Sequence, residues 1–313
     1  MAAVLGLDTS CYTTSAALAS GGQPLAQQRL LLTVPEGGRG LRQSQAVFQH
    51  VGRLPALTEE LMRSVSGIRV AAVCASTRPR PIEGSYMPVF TVGEGFGRAI
   101  AATLGAPFYA TTHQQGHLRA ALVGGEPPSG RYVALHLSGG TTEALLADGD
   151  SIELLGGTSD LHAGQFVDRV GVALGLPFPA GPHLEQLAAK GKARGAIPAS
   201  IDGLTVSFSG AESQAQRLIA SGALSPEDAA AEVFSCLART IGRLVAAAAR
   251  RTGAAQALLF GGVASSALLR ALLAERLQKD GCRVRLIFGR PELSGDNAVG
   301  VALLGEEAHR AGE

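Results

Sequence analysis

Two histidines four residues apart are the part of this sequence best suited to metal chemistry. His113 and His117 lie in the segment HQQGH, and on a helix residues i and i+4 stand one above the other on the same face. Two imidazoles placed in this way can bind one metal ion together. Pairs of this spacing are common, so the alternative is two ordinary surface or core histidines.

Two segments of similar pattern suggest a phosphate site. VLGLDTSCYTTSAALAS begins at Val4, and YVALHLSGGTTEALLAD begins at Tyr132. Each reads as an apolar strand, a tight turn of small polar residues and a second strand that returns as a hairpin. Backbone N–H groups in such turns can surround an anion. Ser138, Gly139 and Gly140 are therefore candidate phosphate-binding residues, with an ordinary hairpin turn as the alternative.

A third turn of small residues, opened by Gly261 and Gly262, follows a predicted strand and leads into a helix. The absence of a Cβ at these positions lets the backbone approach a base closely. Two phosphate-type hairpins in a duplicated frame and one turn for a nucleoside predict an α/β fold. Its architecture is two duplicated actin-like or sugar-kinase lobes (ribonuclease H-like), with a nucleotide cleft between them.

The length of 313 residues also favours two lobes over one core. The predicted N-terminal lobe covers 1–125 and the C-terminal lobe covers 131–296, joined by a loop over 126–130. A Gly- and Pro-rich insertion that contains helices is predicted over about 155–225. The closing helix, within 297–313, can return to the N-terminal lobe.

Apolar periodicity predicts the remaining elements. The first helix is expected to break near Pro55, and the longest helix is expected to have Ser225 as its N-cap. Predicted helices cover 43–62, 93–104, 165–174, 183–190, 227–251 and 297–310, and predicted strands cover 68–76, 108–110, 257–260 and 283–287.

Charge and cysteine content argue against several classes of protein. The formal net charge is +1, so no overall basic field indicates a nucleic-acid ligand. Local basic groups such as Arg250-Arg251 read as solvated faces. The four cysteines form no CxxC pair, which argues against a disulfide framework or a zinc ribbon. With no signal peptide and no apolar stretch of spanning length, we expect a cytoplasmic protein with no membrane partner.

The residues around the histidine pair resemble a known family. HQQGH at residues 113–117 resembles the HxxGH segment of the universal tRNA threonylcarbamoyladenosine transferase family, long described as glycoproteases. Six further segments match it in the same order along the chain: LGLDTSC from Leu5, LSGGTT from Leu137, GQFVDRVGVALGLPFPAG from Gly164, VSFSGA from Val206, LFGGVASSALLR from Leu259 and Asp296-Asn297-Ala298.

The resemblance implies transfer of a threonylcarbamoyl group from its adenylate to a tRNA adenosine beside the anticodon. It implies one divalent transition metal, iron or zinc, bound by His113, His117 and Asp296, with open coordination positions for substrate oxygen. It also implies an adenine nucleotide (threonylcarbamoyl-AMP or ATP), tRNA and other proteins of a tRNA-modification complex as partners.

The resemblance further assigns nucleotide contacts. Asp168 aligns with a residue that holds the ribose, and Gly181 aligns with one against which the nucleoside lies. A salt bridge to a neighbour is the alternative for Asp168. Gly261 and Gly262 lie beside the base, and Ser266 stands where the family has Asn. No catalytic acid, base or nucleophile is assigned.

Three more positions depart from the family pattern. Tyr12 and Thr13 replace Asp and Glu in the first turn, and Thr141 replaces His in the second. These losses surround the expected reaction centre while the scaffold remains, which indicates a divergent member. Two alternatives therefore stand beside the transferase: a degenerate nucleotide-binding paralogue that serves as a partner-binding module, and a carbamoyltransferase acting on a small molecule.

Overall fold

The computed structural model describes residues 1–10, 12–34, 41–149 and 151–312, so the predicted first turn is described except for Cys11. The chain forms two compact units, Met1–Gly124 with Gly295–Glu313, and Gly125–Ser294. The sequence analysis put Asp296 at the end of the C-terminal lobe, whereas the structure puts it in the first unit, together with His113 and His117.

The first unit is built on a five-stranded sheet. Its elements before residue 125 are β1 (Ala2–Ser10), β2 (Thr13–Ser20), β3 (Gln23–Leu31), α1 (Gln43–Arg63), β4 (Arg69–Arg78), α2 (Phe90–Leu104), β5 (Phe108–Thr112) and α3 (His113–Ala121). The strand order is β3-β2-β1-β4-β5, with β1, β2 and β3 antiparallel and β1, β4 and β5 parallel. The sequence predicted the β1–β2 hairpin but not β3, because the polar residues of β3 form no apolar run.

The second unit repeats this arrangement. Its strands are β6 (Tyr132–Leu137), β7 (Thr142–Asp148), β8 (Ser151–Thr158), β9 (Ser200–Asp202), β10 (Thr205–Ser207), β11 (Gln256–Phe260) and β12 (Arg285–Phe288). Its helices are α4 (Ala163–Ala173), α5 (Gly181–Ala188), α6 (Ser209–Ala220), α7 (Pro226–Thr252) and α8 (Ala267–Lys279), and α9 (Val299–Gly312) then returns to the first unit.

The strands β8-β7-β6-β11-β12 have the order and directions of β3-β2-β1-β4-β5. The two sheets thus confirm the predicted duplicated α/β fold. The β9–β10 hairpin extends the second sheet from β8, inside the predicted insertion. β8 itself runs past the predicted start of that insertion.

The predicted break at Pro55 was wrong, because α1 continues through it. Proline inside a helix removes one hydrogen bond and costs about 3 kcal/mol. Leu54, Leu57 and Leu61 of the same helix are buried in the core of the first unit. Each buried leucine contributes about 1.5–3 kcal/mol, so their burial outweighs the cost of the proline.

Ser225 caps α7 as predicted, because its hydroxyl accepts a hydrogen bond from the backbone N–H of Asp228 at 3.1 Å. No helix in the described part of the chain is both long and apolar enough to cross a membrane.

Helix α9 lies directly against the backbones of α3 and β1. A Cβ on Gly300 would overlap the carbonyl oxygen of Gly116 in α3, and a Cβ on Gly6 would overlap the backbone of Ala302 in α9. Only glycine leaves room for such contacts. These glycines therefore set the position of α9, and with it the position of the residues that immediately precede α9.

We expect Gly300→Ala to lower the free energy of unfolding by about 1–3 kcal/mol, because the added methyl group must displace backbone. Gly95→Ala in α2 is the matched control, since nothing lies within 4 Å of the Cβ it would add. That control should gain about 0.5–1 kcal/mol from higher helix propensity. Urea unfolding measures both, and a Gly300→Ala variant as stable as the parent would contradict the tight contact.

Candidate metal centre and nucleotide cavity

The two histidines are placed by the start of α3. Thr112 is the N-cap: its hydroxyl accepts from the backbone N–H of Gln115 at 3.2 Å, and Gln115 Oε1 accepts from the backbone N–H of Thr112 at 3.1 Å. This capping box fixes where the helix begins. His113 therefore takes the first helical position, and His117 follows one turn later on the same face.

Asp296 is placed by the turn that leads into α9. Asn297 Oδ1 accepts from the backbone N–H of Val299 at 3.0 Å, and its Nδ2 donates to the carbonyl oxygen of Gly295 at 2.8 Å. The hydroxyl of Thr13 donates to Asp296 Oδ2 at 3.4 Å. These contacts hold the carboxylate of Asp296, and sequence reasoning assigned no role to either Asn297 or Thr13 in doing so.

The three predicted metal-binding side chains come together. His117 Nε2 lies 3.0 Å from His113 Nε2 and 3.1 Å from Asp296 Oδ1, and His113 Nε2 lies 3.5 Å from that same oxygen. Donor atoms about 2.1 Å from one tetrahedral ion would lie about 3.4 Å apart. The three atoms therefore fit one ion, and two imidazoles with one carboxylate suit zinc or ferrous iron with positions left open.

Asp8 on β1 forms a second layer behind the cluster. It is fully buried, its Oδ1 lies 3.1 Å from His113 Nδ1, and the same oxygen accepts a hydrogen bond from the Ser76 hydroxyl. A carboxylate that holds the proton on Nδ1 leaves the lone pair of Nε2 free for a metal. Asp8 was not among the predicted site residues, although a carboxylate in an otherwise apolar strand signals a buried charge that needs a partner.

The carboxylates of Asp8 and Asp296 favour a positive charge at the histidines. Burial opposes protonation of His113, but Asp8 and Asp296 outweigh it and raise the pKa of its imidazole well above the usual value. Burial also opposes ionisation of Asp296, but hydrogen bonds from His113 and His117 hold its pKa well below the usual value. A proton or a metal ion can supply this charge, so the two compete and metal binding weakens as the pH falls.

The second unit contains a cavity of about 520 Å³ beside the end of β11, a volume typical of small-molecule sites. It follows the carboxyl end of a parallel strand, where open α/β sheets bind ligands. Five of the eight predicted nucleotide residues line it: Gly139, Asp168, Gly181, Gly262 and Ser266. Ser138, Gly140 and Gly261 are not among its lining residues.

The turn between β6 and β7, the predicted phosphate loop, has hydrogen bonds of its own. The Ser138 hydroxyl accepts hydrogen bonds from the backbone N–H groups of Thr141 at 3.0 Å and Gly140 at 3.4 Å. These two N–H groups therefore close the turn itself, as in other serine turns. Gly139 is the residue of this turn that lines the cavity.

Gly261 is required by the conformation of the backbone. Its φ is +98°, and a Cβ there would lie 2.5 Å from the carbonyl oxygen of Leu137. The backbone therefore requires a glycine where β11 ends close to β6, and its approach to a base stays a prediction. Gly262 lines the cavity and has open space where a Cβ would project.

Polar side chains at the cavity also cap helices. Asp168 Oδ1 accepts from the backbone N–H of Ala180 at 2.8 Å, at the start of α5, and burial raises the pKa of this carboxyl against the effect of its hydrogen bonds. No salt bridge of Asp168 occurs among the described residues. Ser266 and Glu185 accept from backbone N–H groups in the first turn of α8 at 3.1 and 2.7 Å.

Sequence comparison finds close similarity to one family. A sequence model of TsaD, tRNA N6-adenosine threonylcarbamoyltransferase, matches residues 33–303. A protein of that name from Thermus thermophilus is 34% identical over 99% of this chain and 94% of its own length. Another from a Polaromonas species is 31% identical over 96% of this chain and 89% of its own length.

Solved structures agree on the fold. Component A of (R)-2-hydroxyglutaryl-CoA dehydratase from Acidaminococcus fermentans aligns with a TM-score of 0.60 and 16% identity, covering 99% of this chain and 100% of that chain. A ROK family glucokinase from Streptomyces griseus, in complex with glucose and AMPPNP, gives 0.56 and 14%, covering 97% and 99%. Similarity at this level concerns the fold alone, and it confirms the predicted actin-like/sugar-kinase class.

Asp8→Asn should weaken metal binding by about 10–100-fold, because the charge that orients and strengthens His113 as a ligand is lost. The affinity can be measured by competition with a chelator of known affinity. Ser10→Ala, on the same strand, is the control: Ser10 is buried and its hydroxyl has no hydrogen-bond partner among the described residues. Equal affinities in the parent and Asp8→Asn would refute the supporting role of Asp8.

Proposed function

Because this chain belongs to the tRNA N6-adenosine threonylcarbamoyltransferase family, we propose that it transfers a threonylcarbamoyl group from its adenylate to a tRNA adenosine. The adenosine amino nitrogen forms a bond to the carbamoyl carbonyl carbon and loses a proton. The bond from that carbon to the phosphate oxygen breaks, and AMP leaves. The observation that carries the proposal is the cluster of His113, His117 and Asp296, supported by buried Asp8.

This donor set fits one divalent transition metal, iron or zinc. Such an ion, when bound, supplies Lewis-acid polarisation of a carbonyl or phosphoryl oxygen. The residues around the site keep its ligands in place: Asp8 fixes the tautomer of His113, while Thr13 and Asn297 hold Asp296 and its turn. Groups arranged in advance stabilise developing charge without reorganisation during the reaction.

We assign the cavity of the second unit to the adenylate. Residues at the N-termini of α4, α5 and α8 line it, namely Gly164, Gly181 and Ser266. Helix N-termini carry partial positive charge, which favours a phosphate. Asp168 can accept a hydrogen bond from a ribose hydroxyl, and Ser266, which accepts from α8, keeps its own proton for the base.

The departures from the family pattern change the surroundings of the metal centre. Thr13 is buried and its hydroxyl donates to Asp296. A glutamate at this position would bring a second carboxylate towards Asp296, which is unfavourable without a bound cation. Tyr12, which is 43% exposed, stands where the family has an aspartate, so the same turn has one carboxylate fewer.

We further propose that the reaction takes place in the cytoplasm and that other proteins of a tRNA-modification complex assist it. The modest net charge of +1 supports such assistance, because the chain has no overall basic field to attract tRNA.

AMP should raise the melting temperature of the parent protein as its concentration increases, by an amount equivalent to about 2.7 kcal/mol at a hundred times its Kd. Gly262→Val should abolish this shift, since its side chain would enter the cavity without meeting protein atoms. Ser266→Asn should increase the shift, because asparagine preserves the helix cap and adds an amide for the base. A Gly262→Val variant with the shift of the parent would rule out this nucleotide site.

Transfer by the unaltered, metal-loaded chain should be slow without partners. The loss of one preorganised polar group costs about a hundredfold or more in rate, and several losses need not add. The assay supplies preformed adenylate and unmodified tRNA and measures modified adenosine, beside a variant with Tyr12→Asp, Thr13→Glu and Thr141→His. The variant should be faster once metal is bound.

Full activity of the unaltered chain would show that these three positions are dispensable. Inactivity of both proteins, with metal and AMP bound, would contradict the transferase proposal and favour the binding-module alternative.

A further inference from the structure

The second unit has another concave site, which lies at the amino ends of β11 and β12, whereas the nucleotide cavity lies at the carboxyl end of β11. Its volume is about 640 Å³, and it is lined by the C-terminal part of α7 and by the segments that precede β11 and β12. Small apolar residues such as Ala246, Ala249 and Ala254 line it. The nucleotide cavity follows the other end of β11, a strand of five residues that spans about 17 Å.

Three exposed arginines surround this site. Arg243 and Arg250 lie on α7, two turns apart, and Arg283 lies between α8 and β12. No carboxylate within the described ranges forms an ion pair with any of the three. Asp280, a carboxylate among the lining residues, is paired with Arg276 at 2.8 Å. The site, here called the arginine cavity, therefore presents three positive charges without an ion-pair partner among the described residues, beside an apolar surface.

The dipole of α7 explains only part of this charge. Arg250 and Arg251 lie in the last turn of α7, where cations interact favourably with the free carbonyl groups. Arg243 lies outside that turn, and the effect of the dipole falls off within one turn. Arg283 belongs to a different segment. The convergence of the three arginines on one concavity therefore calls for an anionic ligand.

We propose that the arginine cavity binds the phosphate backbone of the RNA substrate. This inference rests on the proposed function, in which the acceptor is a tRNA. One guanidinium group can donate two parallel hydrogen bonds to the oxygens of a phosphate. The apolar surface between the arginines can accept the face of an unstacked base. An RNA chain, unlike a free nucleotide, is long enough to contact both ends of the strands of one sheet. Because the net charge is only +1, local contacts of this kind must supply the electrostatic attraction.

The test replaces Arg243, Arg250 and Arg283 together by Gln and measures tRNA binding without adenylate between about 50 and 200 mM salt. Each lost phosphate contact removes about 0.7–0.9 from the slope of log Kd against log salt concentration. The slope should therefore fall by about 2–3 and Kd should rise by about tenfold or more. Substitution of Lys190, Lys192 and Arg217 by Gln, an equal charge change at exposed positions elsewhere in the same unit, should leave Kd within about twofold.

Equal effects of the two triple variants, or no effect of the arginine triple, would overturn the proposal. If the arginine triple is less stable than the parent, single Arg243→Gln and Arg283→Gln variants should each lower the slope by about one. Loss of the AMP-dependent melting shift in the arginine triple, with unchanged tRNA binding, would assign the cavity to a free nucleotide and overturn the RNA assignment. Arginine-dependent tRNA binding without transfer would contradict the proposed function but support this inference.

Discussion

The close contact between α3 and α9 is the constraint on which the candidate metal centre depends. His117 and Asp296 are 179 positions apart in the sequence. They meet because Gly116 and Gly300 allow the backbones of α3 and α9 to come into contact. The glycine of the HxxGH segment thus serves packing, while the flanking histidines are the proposed metal ligands. A single methyl group at this contact would move a ligand by a distance that matters for coordination, since metal–ligand bond lengths vary by only about 0.2 Å.

Charge is the second requirement of the centre. Burial and the negative charge of Asp296 oppose ionisation of Asp8, but His113, which contacts both carboxylates, holds the pKa of Asp8 below its usual value. Buried charges persist in proteins when they are paired or coordinate a metal. The two carboxylates therefore explain why the site would take a cation. Thr13 is neutral and donates a hydrogen bond to Asp296, so it adds no negative charge to the site before a cation binds.

Local patterns in the sequence were enough to predict the duplicated hairpins, the helical histidine pair and the cap of α7. Features that depend on tertiary contacts were not predictable in this way. The polar strand β3 forms only because β2 is beside it, and α1 continues through Pro55 because its leucines are buried. Asp8 gave a readable signal in its apolar strand, whereas the structural role of Gly261 depends on where β6 ends. Turn patterns predicted the glycine-rich site residues of the second unit, and the resemblance added Asp168, Gly181 and Ser266. Asp168 and Ser266 also accept hydrogen bonds at the starts of helices, which no sequence pattern revealed.

The most direct test is to remove metal from the purified protein, add ferrous iron or zinc in steps, and follow tRNA modification from preformed adenylate. We expect activity to rise with metal content, to reach its maximum near one ion per chain, and to be absent from a His113→Ala variant that still binds AMP. Undiminished transfer by the metal-free protein, or by His113→Ala, would contradict the claim that His113, His117 and Asp296 form the reaction centre.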